Sequence, residues 1–223
     1  GIISITTKGP SRQFFGSAEL MTSVDGYFDN LAAVSLSGPL FSVKSTDPND
    51  PTKTIKNTIA GYFLSAEATY TKDGRPFATD IWKVKDEVVD NLIENPIVPD
   101  PYSPSTVLSA HYLTKKDFEK IHAKENAENW GGNFSGKIDI KPFDGANITI
   151  GGNLTYNESN AFVRSYQFMN SEQNPKTIDL TWRTFARYTQ RFKNTEASED
   201  QKASLIKNAY ITAQVDWTQQ TGG

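Results

Sequence analysis

The chain has no cysteine, so a disulfide framework, a thiolate metal site and a cysteine nucleophile are all excluded. Histidine is nearly absent too. His111 and His122 are the only two, and no Gly-x-Ser-x-Gly elbow accompanies them, which leaves a nucleophilic triad without footing and an enzyme as an unexpected outcome. Basic excess is also lacking. Lys and Arg total 23 against 26 Asp and Glu, for a net charge of −3 and no basic run, so nucleic acid is not an expected partner. No stretch of about 18 apolar residues occurs, which excludes a transmembrane helix. It leaves open a membrane β-barrel, whose alternating strands keep average hydropathy low.

What the chain does have is rings. Mean hydropathy is −0.52, yet 12% of residues are aromatic, a combination that argues against disorder and for a folded β protein. The pattern of residues agrees. Ile148, Ile150, Gly152, Leu154 and Tyr156 alternate with Asn147, Thr149, Asn153, Thr155 and Asn157. Upstream, Phe134, Ile138 and Ile140 alternate with Asn133, Ser135, Lys137, Asp139 and Lys141. Period two means strand, and the Pro142-Phe143-Asp144-Gly145 step between the two runs predicts a hairpin.

The same period returns over 178–192, with Thr184 and Phe185 as faults, and over 208–218. Weaker runs cover 14–24, 31–37 and 59–70. The fold class expected is therefore all-β, an antiparallel up-and-down meander of about seven strands. Most run about nine to fifteen residues, against five or six in soluble sheets, which favours strands that cross a bilayer obliquely. Phe14, Tyr70, Tyr156, Phe192 and Trp217 stand near strand ends, where interfacial girdles belong.

Connections are expected at 25–30 and 142–146 as short turns, and at 38–58, 71–132, 158–177 and 193–207 as long loops. They do not alternate short with long; one missed strand near 105–113 would restore the order except at 193–207. The longest insert, about 71–132, carries structure of its own. Ile81, Val84, Val88 and Leu92 predict a helix over 80–95 that stops before Pro96. Four prolines break 95–105, and Thr114 with Asp117 resembles a capping box opening a second helix to about Glu125. Such an insert would form a lid of short helices.

Three places could hold a metal: His122 with Glu119 and Glu125, Asp47-Pro48-Asn49-Asp50, and Glu196 with Glu199 and Asp200. Solvated charge is the commoner use of each, so neither metal nor cofactor is expected. Gly151-Gly152 lies inside a strand and marks a bend or a close backbone approach. Arg183, Arg187 and Arg191 share one face and span roughly 26 Å of strand. They read either as a cationic ladder facing an anionic substrate or acidic groups inside a barrel, or as ordinary partners of nearby carboxylates.

The first eleven residues, Gly1-Ile2-Ile3-Ser4-Ile5-Thr6-Thr7-Lys8-Gly9-Pro10-Ser11, resemble the exit from the plug of a TonB-dependent outer-membrane receptor. The stretch Asn30-Leu31-Ala32-Ala33-Val34-Ser35-Leu36-Ser37-Gly38-Pro39-Leu40 and the passage 126–139 are similar to large SusC-like receptors of that family. The resemblance implies residues 1–11 as the last plug strand and junction, and 12–223 as the N-terminal part of a barrel of about 22 strands. It implies uptake of a nutrient across the outer membrane of a Gram-negative bacterium, driven by the TonB complex through parts outside this chain. Partners implied are the remainder of the same barrel, lipid or lipopolysaccharide, and a surface lipoprotein. Two other readings stay open: a soluble all-β module binding carbohydrate or another ligand, and an outer-membrane barrel for protein secretion.

Overall fold

The structure, a computed structural model, describes residues 13–47, 50–193 and 208–223. The expected plug segment, Pro48 and Asn49 of the acidic cluster at 47–50, and the acidic cluster at 196–200 lie outside what is described. Most of the chain forms one antiparallel sheet of seven strands, so the all-β expectation holds. In chain order the strands are β1 (Phe15–Thr22), β2 (Asn30–Asp47), β3 (Asp50–Thr71), β8 (Asn129–Ile140), β9 (Ala146–Asn160), β10 (Lys176–Lys193) and β11 (Asn208–Gly222). Each pairs with the next, giving an up-and-down meander with β1 and β11 at its edges. Inserted between β3 and β8 are β4 (Ile81–Val84), helix α1 (Asp86–Glu94), β5 (Ile97–Pro99), β6 (Thr106–Leu108) and β7 (Phe118–Ile121).

The β8–β9 hairpin forms where the alternation places it. Ala146 N–H donates to the Phe143 carbonyl at 3.1 Å, and Gly145 takes a φ of +80°, which only glycine adopts without strain. The expected loop at 38–58 is instead strand. β2 and β3 run on past Gly38 and pair from Ser42↔Thr58 to Thr46↔Thr54. Gly38-Pro39 reads as a break in sequence, but Pro39 sits at a register irregularity, a place where strands accommodate proline. With that correction the long connections 72–128 and 161–175 fall at one end of the sheet, together with 23–29, and the short 141–145 falls at the other. No missed strand is needed. The candidate at 105–113 contributes only the three residues of β6, outside the large sheet.

Register decides which side chains share a face. Across one row lie Val34, Ala66, Phe134, Leu154 and Trp182; across the next, Leu36, Leu64, Gly136, Gly152, Thr184 and Trp217. One face is thus apolar over all seven strands, and among the described residues no second layer covers it. Val215 is 75% exposed, Ile211 59%, Ile150 53% and Leu154 40%. A water-soluble sandwich would bury these against an opposing sheet.

The buried apolar side chains of the large sheet are small, Ala60 and Ala146. Ile81, Val84, Ala123 and Ala127 are buried elsewhere, in a cap at the end of the sheet. There β4 pairs with β7 and β5 with β6. The helix expected over 80–95 begins only at Asp86, because Ile81 and Val84 are taken into β4. The capping box at Thr114 and Asp117 does form, but it opens one 3-10 turn. Phe118–Ile121 then pairs with β4, so tertiary pairing outweighs local helix preference.

All three connections at this end interlock. Lys72 N–H donates to Tyr27 O at 2.9 Å, Val84 N–H to Phe168 O at 2.9 Å, and Gln167 Nε2 to Trp82 O at 2.9 Å. The Asn174 amide donates to Asn126 O at 2.8 Å.

Candidate functional site

The second face of the sheet is mostly polar: Ser35, Ser65, Ser135, Asn153, Arg183 and Thr218 share one register line on it, and Asp139, Thr149, Arg187 and Gln214 another. Its side chains bond across strands: Ser17 with Ser35 at 2.7 Å, Ser65 with Ser135 at 2.7 Å, and Asn133 to Glu67 at 3.1 Å. Asp139 accepts from Thr149 and lies 3.8 Å from Lys137 Nζ. A shallow hollow of about 370 Å³ opens on this face over Ala33 and Ser35, between Glu19 and Glu67. Small side chains floor it and the two carboxylates wall it.

The three arginines of β10 do share this face, and their surroundings separate them. Arg183 Nε donates to Asp216 Oδ1 at 2.9 Å, and its terminal Nη2 bonds the same oxygen, an ion pair across β10 and β11. Arg187 Nε donates to the neutral Gln214 Oε1 at 2.5 Å. Arg191 makes no ion pair among the described residues. Phe185, a fault in the alternation, belongs here. Its ring centroid lies 5.9 Å from the Arg183 guanidinium carbon and 6.0 Å from that of Arg187.

Gly151 makes room for that ring. A Cβ there would stand 3.0 Å from Phe185 Cζ and 2.8 Å from Gly136 O, the close approach that the paired glycines suggested. Opposite them, Thr184 pairs with Gly152 and Phe185 with Gly151, so β10 passes both faults without a bulge.

On the apolar face aromatic residues fall in an oblique row. Tyr70 and Trp130 are register partners with ring centroids 4.4 Å apart. Tyr156, Trp182 and Trp217 then step away, each two residues further along its strand than the previous register line. Six residues of displacement over four strands is about 20 Å along the strands for about 19 Å across them, an angle near 45°. Phe14, Tyr62, Tyr188 and Phe192 lie toward the other end. At that obliquity Tyr62 and Tyr70 are separated by about 19 Å, and Trp182 and Phe192 by about 23 Å.

In the cap the suspected metal set resolves into an ion cluster. Glu119 and Glu125 both face Lys83 Nζ, at 3.4 and 2.8 Å, with Asp86 at 3.0 Å. The Glu125 carboxylate, and then Asp86, hold the Lys83 ammonium well above the ordinary lysine value against the cost of burial. His122 turns elsewhere. It stacks on Tyr27 with centroids 4.6 Å apart and sits 3.3 Å from Asp80 Oδ1. No group of three or more potential ligands converges among the described residues.

A second cation, Lys124, is buried with Asp73 at 2.7 Å and lies 4.6 Å from the Phe77 ring centroid and 5.3 Å from that of Phe162. Sequence reading missed both lysines. The only signal was at Lys83, which stands among Ile81, Trp82 and Val84, a setting that snorkelling surface lysines share.

Compared with protein-family models, curated proteins and solved structures, the chain has no match.

Proposed function

We propose that the chain forms part of the wall of an outer-membrane β-barrel serving TonB-dependent uptake of a nutrient. One observation carries the barrel: an apolar face across seven strands, uncovered among the described residues, backed by a polar face and crossed by an oblique aromatic row. Strands of membrane barrels tilt by about 35–45°, so a bilayer plane cuts the register lines at that slope, and their apolar belt is about 25 Å tall. The row's slope matches the first figure and the aromatic separations approach the second. Strands of 12 to 22 residues in β2, β3, β8, β9, β10 and β11 are long enough to cross at such a tilt.

In this reading β1 and β11 pair with further strands, because lipid does not tolerate open sheet edges. Lipid or lipopolysaccharide meets the apolar face, the polar face lines the lumen, and the cap lies at the extracellular mouth. The chain's part is structural: wall, lumen lining and cap. Assignment to TonB-dependent uptake rests on the resemblance of residues 1–11 and 30–40 to that receptor family, and the TonB complex and a surface lipoprotein are partners through it.

The experiment is membrane fractionation of the full-length protein, followed by electrophoresis with and without boiling. Recovery only in detergent, with a heat-dependent shift in migration, is the expected result. Recovery in the soluble fraction without detergent overturns the barrel and favours a soluble binding module.

A further inference from the structure

The polar face is electrically lopsided. Its β1–β3 side carries Glu19 and Glu67 around the hollow, while its β10 side carries Arg183, Arg187 and Arg191. Two carboxylates on this face are already engaged. Asp139 is engaged by Thr149 and Lys137, and Asp216 is taken by Arg183 and Gln214. Arg187 leans on a neutral amide, which uses Nε and leaves both terminal nitrogens of its fork. Arg187 and Arg191, which make no ion pair among the described residues, stand about 13 Å apart along the strand at the usual rise. Beside them Phe185, held over Gly151 and flanked by two guanidiniums, offers an apolar ledge on an otherwise polar surface.

We propose that Arg187 and Arg191, with Phe185 as the ledge beside them, form a subsite for an elongated solute bearing several carboxylates. The inference rests on the barrel reading above, in which this face lines the lumen. Guanidinium forks match carboxylates in shape and charge, and two forks separated by a strand's length select a chain of charges over a single compact anion. Phe185 adds stacking for the uncharged side of a sugar ring or a methylene run.

Binding is measured by calorimetry on the full-length protein in detergent. The probes are oligogalacturonate, oligoglutamate of equal charge, and neutral maltohexaose. At least one polyanion binds and maltohexaose does not. Arg187→Gln and Arg191→Gln each weaken that binding about tenfold, the scale of one charge-assisted hydrogen bond in a partly exposed site. Lys116→Gln, which removes the same charge from the cap, leaves it unchanged. Preference for oligogalacturonate, lost in Phe185→Ala, assigns the carboxylates to a sugar; equal binding of both probes assigns recognition to charge spacing alone. Failure of both polyanions to bind, or binding unaltered in both arginine variants, overturns the subsite. If the protein meanwhile needs detergent and shows the heat-dependent shift, the barrel reading survives that failure.

Discussion

The cap depends on a buried ion pair, and breaking it from either side has a calculable cost. Lys124 and Asp73 side chains are 5% and 2% exposed and 2.7 Å apart. Asp73 also accepts the main-chain N–H of Lys124 at 3.0 Å and of Arg75 at 3.1 Å. Asp73→Ala strands a buried ammonium, about 3–5 kcal/mol by the usual cost of an unmatched charge. It also orphans two N–H groups, each worth about 1–3 kcal/mol. Lys124→Met costs less, about 3 kcal/mol, because methionine still fills the space between Phe77 and Phe162 and Asp73 keeps both N–H donors.

Combining Lys124→Met with Asp73→Ala leaves no buried charge, and the double variant costs several kcal/mol less than the two singles summed. Native-state amide exchange in β4 and β7 of the full-length protein reads this as local opening. About 3 kcal/mol is more than a hundredfold faster exchange. The large sheet is unaffected, since neither residue lies in it. Additive costs in the cycle, or single costs below about 1 kcal/mol, would refute the claim that the pair is buried and coupled.

Ile150 lies on the apolar face of β9 between the β8–β9 turn and Tyr156, so Ile150→Arg lowers barrel stability by roughly 2–4 kcal/mol in urea-dependent refolding into liposomes, whereas Thr155→Arg on the polar face is nearly neutral. Gly145→Ala strains a φ of +80° and sets a methyl against the Arg191 carbonyl oxygen; the expected cost is about 1–3 kcal/mol in the same assay, confined to the β8–β9 hairpin and its β10 neighbour. Asp117 is held below the ordinary carboxylate value by the Thr114 N–H, and Asp25 by the Ser23 hydroxyl and Tyr27 N–H. A depressed folded value stabilises above the unfolded value near 4, roughly, and that support is lost as pH falls through the folded value. Amide exchange at Thr114 and Tyr27 therefore quickens, relative to the intrinsic rate, only on acidification below about pH 4.

Strand existence was legible wherever one face is apolar and the other polar, as in β8, β9, β10 and β11, because period two is a local property of the chain. The hairpin at Asp144-Gly145 was legible for the same reason. Elsewhere local signals misled. Gly38-Pro39 announced a loop, yet a register slip absorbs the proline inside β2. Ile81 and Val84 fitted helical spacing, yet an available partner in β7 made them strand. Thr114 and Asp117 capped a turn that the same partner cut short.

The arginines show where sequence stops. Their shared face follows from spacing by four, but spacing says nothing of partners. Asp216, Gln214 and Phe185 are brought to them by the β10–β11 register and by the absence of a side chain on Gly151. Likewise Glu119 and Glu125 looked like ligands beside His122 until Lys83, 36 residues before Glu119, was folded between them. Alternation by itself determined that the chain makes long two-faced strands, since side-chain direction along a strand needs no partner. The uncovered apolar face, the obliquity of its aromatic row and the neutralised cap cations were decided only by tertiary structure, because each depends on the register between strands distant in sequence.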